Sequence, residues 1–212
     1  MKDKAIYIVL IKAMTGLGKF ARKISGYDYT HIAVSLDETY SDFVTFSRRM
    51  HYAPFDAGFM HEKREHYAFG KHDGVKVRVF RIPVTYEAYK RITDFVSEVE
   101  NDDKYVFNFL SMVTMPLIHG FKIYKAYNCM SFAGKILELS DAVRMDRKYY
   151  RYSIKDFDRM LSVFHNEEKY LKKNSEDTDY MAKINIFKNI WLYMRLNAIL
   201  LYRLIFKNMV KF

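Results

Sequence analysis

The spacing of apolar residues changes along this chain from the period of a β-strand to that of an α-helix. Apolar and other residues alternate in residues 31–36 and 75–79, and a run of large apolar residues occupies 6–11. Within residues 85–101 and 129–139 the apolar residues recur every three or four positions instead. Alternation is typical of strands and the longer spacing is typical of helices. The chain is therefore expected to have an α+β fold.

Two of the alternating segments are close enough in sequence to form a hairpin. Residues 31–36 and 43–47 flank a polar turn, and residues 75–82 supply a further strand. We expect these strands to form an antiparallel sheet. The helix that starts at or beside Cys129 has a largely apolar surface and is expected to pack against that sheet.

The length of 212 residues suits one domain with an appendage. We expect a main domain over residues 1–145 and a helical C-terminal extension over residues 146–212. Within this extension, residues 167–179 are charged and are interpreted as a linker. Residues 183–212 are interpreted as one basic, amphipathic helix.

The positive charge is concentrated in the C-terminal third. The whole chain has a formal net charge of +10, and residues 143–212 contain 15 basic against 8 acidic side chains. From residue 181 to the end there are six basic residues and no acidic one. An anionic membrane or another acidic surface would therefore meet this part of the chain. Nucleic acid is the weakest candidate partner, because no recognised nucleic-acid-binding motif accompanies the charge.

Cys129 is the only cysteine, so the chain can form no intramolecular disulfide and no cysteine-rich zinc site. A lone cysteine is typical of a reducing compartment, which favours a cytoplasmic protein. The apolar run at residues 6–11 is interrupted by Lys12 and is too short for a signal peptide. No apolar stretch approaches the length of about 18 residues that a spanning helix needs. A peripheral position at the inner face of the membrane remains compatible with the basic tail.

His31 and Cys129 are the two residues whose chemistry is most informative. A cysteine in the first turn of a helix lies near backbone N–H groups and the positive end of the helix dipole, which favours the thiolate. A histidine at the start of a strand can face the same cleft and serve as its partner in a cysteine hydrolase. The alternative is an inert thiol that fills space in the core.

Several short motifs support the enzyme interpretation, and their order along the chain matters. They are Ile6-Tyr-Ile-Val-Leu, Thr15-Gly-Leu-Gly-Lys-Phe, Gly26-Tyr-Asp-Tyr-Thr-His31-Ile-Ala-Val-Ser-Leu-Asp, Thr45-Phe-Ser-Arg-Arg and Asn128-Cys129-Met-Ser-Phe-Ala. Over roughly residues 5–140 this series resembles the permuted NlpC-type papain-like cysteine hydrolases. These include the YiiX-like bacterial proteins and, more distantly, the lecithin:retinol acyltransferase group. In the permuted group the histidine strand precedes the cysteine helix, as here.

The resemblance implies a circularly permuted papain-like fold in which Cys129 is the nucleophile and His31 is the general base and acid. It also implies a third, polar residue on the next strand that orients the histidine. Thr45 is the first choice for that position and Ser47 is the reserve. The substrates implied are peptide amides, cell-wall cross-links or lipid esters, and the reaction is either hydrolysis or acyl transfer.

Three histidines are considered as metal ligands, but the sequence does not favour a metal site. His61, His66 and His72 lie close together, with two glutamates between the first pair, but no recognised ligand spacing appears. The segment Thr15-Gly-Leu-Gly-Lys lacks both the phosphate-loop and the dinucleotide-binding patterns. We therefore expect neither a metal nor a cofactor.

The basic tail leaves two functions open. Its apolar half contains Trp191, Met194, Ala198, Leu201, Tyr202, Ile205 and Met209. This half can pack on the domain or on a second copy of the chain, or it can lie on an anionic membrane. Because a hydroxyl is a weak partner for a histidine, the alternative to an enzyme is a catalytically decayed module that binds a membrane or a protein through this tail.

Overall fold

The fold is built around a six-stranded antiparallel sheet. A computed structural model describes residues 4–15, 18–19, 22–23, 26–68, 72–175 and 177–207. In chain order the strands are β1 (Lys4–Ile11), β2 (His31–Ser35), β3 (Phe43–Arg48), β4 (Ala57–Glu62), β5 (Gly74–Val84), β6 (Val106–Phe107), β7 (Ala126–Tyr127) and β8 (Asn166–Lys172). The large sheet has the order β4-β3-β2-β1-β5-β8, and β6 pairs with β7 in a small parallel sheet. The predicted β2–β3 hairpin is confirmed by the pairing of Val34 with Val44.

The helices begin where the capping residues of the sequence place them. They are α1 (Tyr86–Asn101), α2 (Phe109–Ile118), α3 (Cys129–Ser140), α4 (Ile154–Leu161) and α5 (Ile186–Tyr202). The Thr85 and Ser153 side chains accept hydrogen bonds from backbone N–H groups in the first turns of α1 and α4. Such caps supply acceptors for N–H groups that have no partner inside the helix. The helices predicted at residues 85–101 and 129–139 are confirmed.

The two faces of the sheet bury different apolar clusters, because side chains alternate along each strand. Ile6 and Ile8 of β1 belong to the larger cluster, which includes residues of α1, α3 and α4. Tyr7 and Val9 belong to the smaller cluster on the opposite face. The strand β1 is therefore buried on both sides, as its unbroken apolar run indicates.

The charged segment interpreted as a linker, residues 167–179, contains most of a strand, so that interpretation is wrong for residues 167–172. They belong to β8, which pairs along β5 at the edge of the sheet. Glu168 forms ion pairs with Lys76 (2.7 Å) and Arg78 (2.9 Å) of β5. An edge strand can be stabilised by backbone hydrogen bonds to its neighbour and by cross-strand charge pairs. Such a strand does not need alternating apolar residues, so its sequence pattern does not reveal it.

The basic tail forms α5 and a π-helical turn at Arg203–Lys207. Leu196 and Leu200 of α5 pack on Ile123 and Ala126 in a small third cluster. Over the ranges that the structure describes, no helix is both long and apolar enough to cross a membrane.

The short helix predicted for residues 15–26 falls partly outside the described residues, which omit 16–17, 20–21 and 24–25. At its start, the Thr15 hydroxyl accepts a hydrogen bond from the Gly18 N–H (2.9 Å), as expected of a cap. At its end, Gly26 adopts a φ of +60°, a conformation typical of the residue that follows a helix.

Candidate active site

Cys129 is the first residue of α3, and a reciprocal cap fixes it there. The Asn128 Oδ1 accepts a hydrogen bond from the Ser131 N–H (2.9 Å), and the Ser131 Oγ accepts one from the Asn128 N–H (2.9 Å). This capping box ends the preceding extended chain at Asn128. The Cys129 thiol therefore lies at the positive end of the helix dipole.

His31 lies at the start of β2 and contacts a buried carboxylate. Its Nε2 is 2.8 Å from the Oε2 of Glu62, the last residue of β4. The same carboxylate accepts hydrogen bonds from the Ser47 hydroxyl (2.6 Å) and from the Tyr67 hydroxyl (2.7 Å). Because an unpaired buried charge is very costly, these three partners explain how Glu62 can remain 4% exposed.

The pKa values of His31 and Glu62 move apart, as those of an ion pair do. Burial by itself would lower the pKa of His31, but the Glu62 charge, the neighbouring Cys129 and the hydrogen bond that the imidazolium donates to Glu62 outweigh it and raise that pKa to about 10. Burial would raise the pKa of Glu62, but the His31 charge and the hydrogen bonds from His31, Ser47 and Tyr67 lower it. At neutral pH the pair is therefore imidazolium and carboxylate.

The structure brings Cys129 and His31 together, although 97 residues separate them in the chain. The thiol lies close enough to the imidazole to contribute to the raised pKa of His31. Since Nε2 faces Glu62, the remaining ring nitrogen, Nδ1, is the one left for Cys129. The three residues thus form a series, thiol to imidazole to carboxylate, which can generate a nucleophile and move a proton.

The expectation that Thr45 orients His31 does not match this geometry. Thr45 is fully buried, and its hydroxyl donates to the backbone carbonyl of Ile32 (3.0 Å). The short side chain is satisfied by the neighbouring strand, and Glu62 takes the place beside the imidazole. The reserve choice, Ser47, is one step further out, because it contacts the Glu62 carboxylate.

Glu62 is not evident from the sequence, because residues 48–72 show no regular apolar period and favour a long loop with a short strand. The strand β4 is only six residues long, contains Gly58 and lies at the edge of the sheet. The run of residues 57–60 (Ala-Gly-Phe-Met) is the one signal of a strand in this segment. This run does not indicate that Glu62 is buried, because the burial of Glu62 depends on contacts with β3 and with Tyr67.

Two of the three histidines considered as metal ligands are held by separate carboxylates. His61 contacts Asp42 (2.7 Å) and Glu100 (3.1 Å), whereas His66 contacts Asp177 (3.1 Å). Over the described part of the chain, no group of three or more His, Cys, Asp or Glu side chains is arranged to hold a metal ion.

One polar atom beside the site is left without a partner. The Asn128 Nδ2 is buried, and no acceptor among the described residues lies within hydrogen-bonding distance of it. Most buried donors are satisfied, so such an exception calls for an explanation. Asn128 immediately precedes Cys129 in the chain, which puts this free donor in the same turn as the thiol.

Comparisons of this chain with protein-family models, with curated proteins and with solved structures found no match. The arrangement of its side chains is therefore the basis on which a function can be argued.

Proposed function

We propose that this protein is a cysteine hydrolase of amide or ester bonds, acting as a peptidase, an amidase or an acyl hydrolase or transferase. The observation that carries the proposal is the position of His31, between the Cys129 thiol and the buried Glu62 carboxylate. The order of His31 before Cys129 along the chain also supports a circularly permuted papain-like fold for the α+β domain.

The proposed reaction begins with a Cys129 thiolate and a His31 imidazolium. The Cys129 Sγ attacks the substrate carbonyl carbon, and the carbonyl oxygen takes up the negative charge. As the tetrahedral intermediate collapses, the bond to the leaving group breaks and His31 donates its proton to that amine or alcohol. Water then attacks the thioester while His31 accepts its proton, which releases the acid and restores the thiolate. An amine or alcohol in place of water gives acyl transfer.

Glu62 is proposed as a positioning residue that acts through His31. A buried carboxylate fixes the orientation of the imidazole and stabilises its protonated form. The interpretation of the chain as a catalytically decayed module depended on a hydroxyl in this position. The Glu62 carboxylate supports the enzyme over that alternative.

Two kinds of donor are available to stabilise the negative oxygen of the intermediate. The Cys129 and Met130 N–H groups belong to the first turn of α3, which lacks intrahelical acceptors, and the Asn128 Nδ2 is an unpartnered donor on the preceding residue. Donors fixed in advance of the reaction act strongly in a site that excludes water. We propose that Asn128 contributes one of these donors.

The pH dependence of alkylation tests the proposal, and the single cysteine makes the label specific. We expect iodoacetamide to label Cys129 rapidly at about pH 6, where an ordinary thiol scarcely reacts. The His31→Ala variant should lose this rapid labelling, and the matched variant His61→Ala should keep it, because His61 contacts other carboxylates. Labelling only above about pH 8, the same in all three proteins, would contradict the proposal.

Peptide amides, cell-wall cross-links and lipid esters remain the candidate substrates, and the cytoplasm remains the proposed location. A chromogenic ester such as p-nitrophenyl acetate tests the acyl chemistry without a commitment to any of them. A burst of nitrophenol equal to the enzyme concentration would show that an acyl-enzyme forms. Absence of any burst in a protein whose Cys129 alkylates rapidly would count against acyl chemistry.

A further inference from the structure

The helix α5 presents an apolar surface to solvent. We call this surface the outward face of α5. It consists of Phe187, Ile190, Trp191, Met194, Leu201, Tyr202 and, in the following turn, Ile205. These side chains are between 49% and 75% exposed. A helix on the surface of a globular protein ordinarily exposes its polar side instead.

The outward face is exposed because α5 packs against the protein through its opposite side. Leu196 and Leu200 contact the rest of the protein, and at about 100° per residue they lie opposite Trp191 and Met194. The helix therefore uses a narrow apolar stripe as its anchor and leaves the wider one uncovered. Of the alternatives left open for this apolar half, packing on the protein's own domain does not match the structure.

Apolar side chains are exposed on α2 as well. Val113, Leu117 and Ile118 are also exposed, and Leu117 is exposed to 82%. Phe109 and Leu110 of α2 join the cluster that anchors α5, so the two helices are neighbours. A monomeric soluble protein rarely exposes an apolar patch of this extent unless it binds something there.

Positive charge flanks the outward face of α5. Lys188 and Arg195 are exposed along one edge of it, and the Arg195 guanidinium lies 5.4 Å from the ring centre of Trp191. No acidic residue occurs from residue 181 onward. Arg203 is a different case, because it donates to the backbone carbonyls of Tyr124 and Lys125 and so serves the fold.

We propose that the outward face of α5 lies on an anionic lipid surface. The helix would rest in the plane of the interface with its apolar side chains among the acyl chains. Trp191 and Tyr202 suit the headgroup level, and Lys188 and Arg195 would contact the lipid phosphates.

The distribution of charge favours lipid over a second copy of the chain. A twofold contact through this face would bring Lys188 and Arg195 near their own counterparts, with no acidic side chain in the segment to pair with them. An anionic membrane supplies the missing negative charge. The proposal depends on this surface alone and is independent of the chemistry at Cys129.

Trp191 is the only tryptophan in the chain, so its fluorescence reports on the centre of the proposed surface. We expect a blue shift when the full chain is mixed with phosphatidylcholine vesicles that contain phosphatidylglycerol, and a much weaker shift with phosphatidylcholine alone. Added salt should reduce the shift. An unchanged spectrum with the anionic vesicles would overturn the proposal. So would a shift that appears without lipid as the protein is concentrated and a dimer forms in sedimentation.

Variants test whether vesicle binding depends on this surface or on exposed apolar side chains in general. Phe187→Ser combined with Met194→Ser should abolish co-sedimentation with the anionic vesicles. Val163→Ser, which removes an equally exposed apolar side chain elsewhere, should leave it intact. Lys188→Gln combined with Arg195→Gln should weaken the binding about 30-fold at low salt.

Equal loss of binding in the Val163 control would overturn the assignment. The Cys129→Ala variant should bind vesicles as the wild type does. Failure of lipid binding and failure of the cysteine chemistry are therefore observed separately.

Discussion

Two regions of this molecule depart from ordinary burial in opposite directions. Around His31 a carboxylate and an imidazolium are withdrawn from water, whereas on the outward face of α5 large apolar side chains are left in it. Buried charge and an exposed apolar patch are the informative exceptions in a folded protein. Both regions therefore point to function, although only the region around His31 finds all of its interaction partners within the chain.

The difference lies in where the partners are. Each oxygen of Glu62 is hydrogen-bonded by a side chain of the same protein, namely by His31, Ser47 or Tyr67. No part of the described chain covers the outward face of α5. The first region is therefore set up for chemistry by the fold itself, and the second needs a surface from outside.

The largest effect is expected when the internal pairing is broken by Glu62→Gln. The amide has nearly the same shape but does not stabilise an imidazolium, so alkylation of Cys129 at about pH 6 should slow roughly 10²–10⁴-fold. The matched variant Glu100→Gln removes a carboxylate that contacts His61 and should have no effect. Rates that are unchanged in Glu62→Gln would mean that the carboxylate has no part in the reactivity of the thiol.

A smaller loss is expected from Asn128→Ser, which keeps an oxygen to cap α3 and removes the unpartnered Nδ2. Turnover of p-nitrophenyl acetate should fall about 100-fold, the effect of losing one oxyanion donor. Stability should change by no more than about 1 kcal/mol. The control is Asn185→Ser, which makes the same change at the cap of α5. Equal turnover in the two variants would exclude a role for Asn128 in the reaction.

The anchor and the outward face of α5 can be compared at two adjacent residues. Leu200 is fully buried and Leu201 is 49% exposed. Leu200→Ala should lower the free energy of unfolding by about 2–3 kcal/mol, because it leaves a cavity. Leu201→Ala should change it by less than about 0.5 kcal/mol. Denaturant titrations measure both, and similar losses in the two variants would mean that the exposed side is covered after all.

The smallest effect is the pH dependence that the buried pair confers on stability. Since folding raises the pKa of His31 from 6.5 to about 10, its stabilisation is complete below pH 6.5 and is lost as the pH rises toward 10. Since folding lowers the pKa of Glu62, its stabilisation is present above 4.5 and is lost as the pH falls further. The stabilisation from the pair is therefore greatest between pH 4.5 and 6.5.

The measurement is the free energy of unfolding of the wild type and of His31→Gln, at about pH 6 and about pH 9. The difference between the two proteins should be smaller at about pH 9 than at about pH 6, because His31 loses part of its stabilising charge as the pH rises. A difference that does not change with pH would show that the pair is not ionised in the folded protein.

Local features of the sequence predicted most of the helices and strands. They also predicted two of the three residues of the candidate site, His31 and Cys129. The alternation around residues 31–36 and the cap at Thr85 predict β2 and α1, because both signals involve neighbouring residues. His31 and Cys129 could be chosen from the sequence because their chemistry, order and helix position are visible there. The structure places them close together, while their roles remain proposals.

Glu62 and β8 could not be predicted from local sequence. Both depend on which strands become neighbours: Glu62 needs β4 beside β3, and the charged residues of β8 need Lys76 and Arg78 on β5. Such contacts join segments that are far apart in the chain, so no local period signals them.

The pattern of neighbouring residues was enough to predict an α+β fold, a helix that starts at or beside Cys129 and a basic, apolar tail. That a carboxylate and not a hydroxyl contacts His31 depends on tertiary packing. Tertiary packing also selects the side of α5 that remains exposed. This helix has apolar residues on two sides, and either side could pack against the protein. Periodicity fixes local conformation, whereas the choice of contacts depends on the packing of the whole chain.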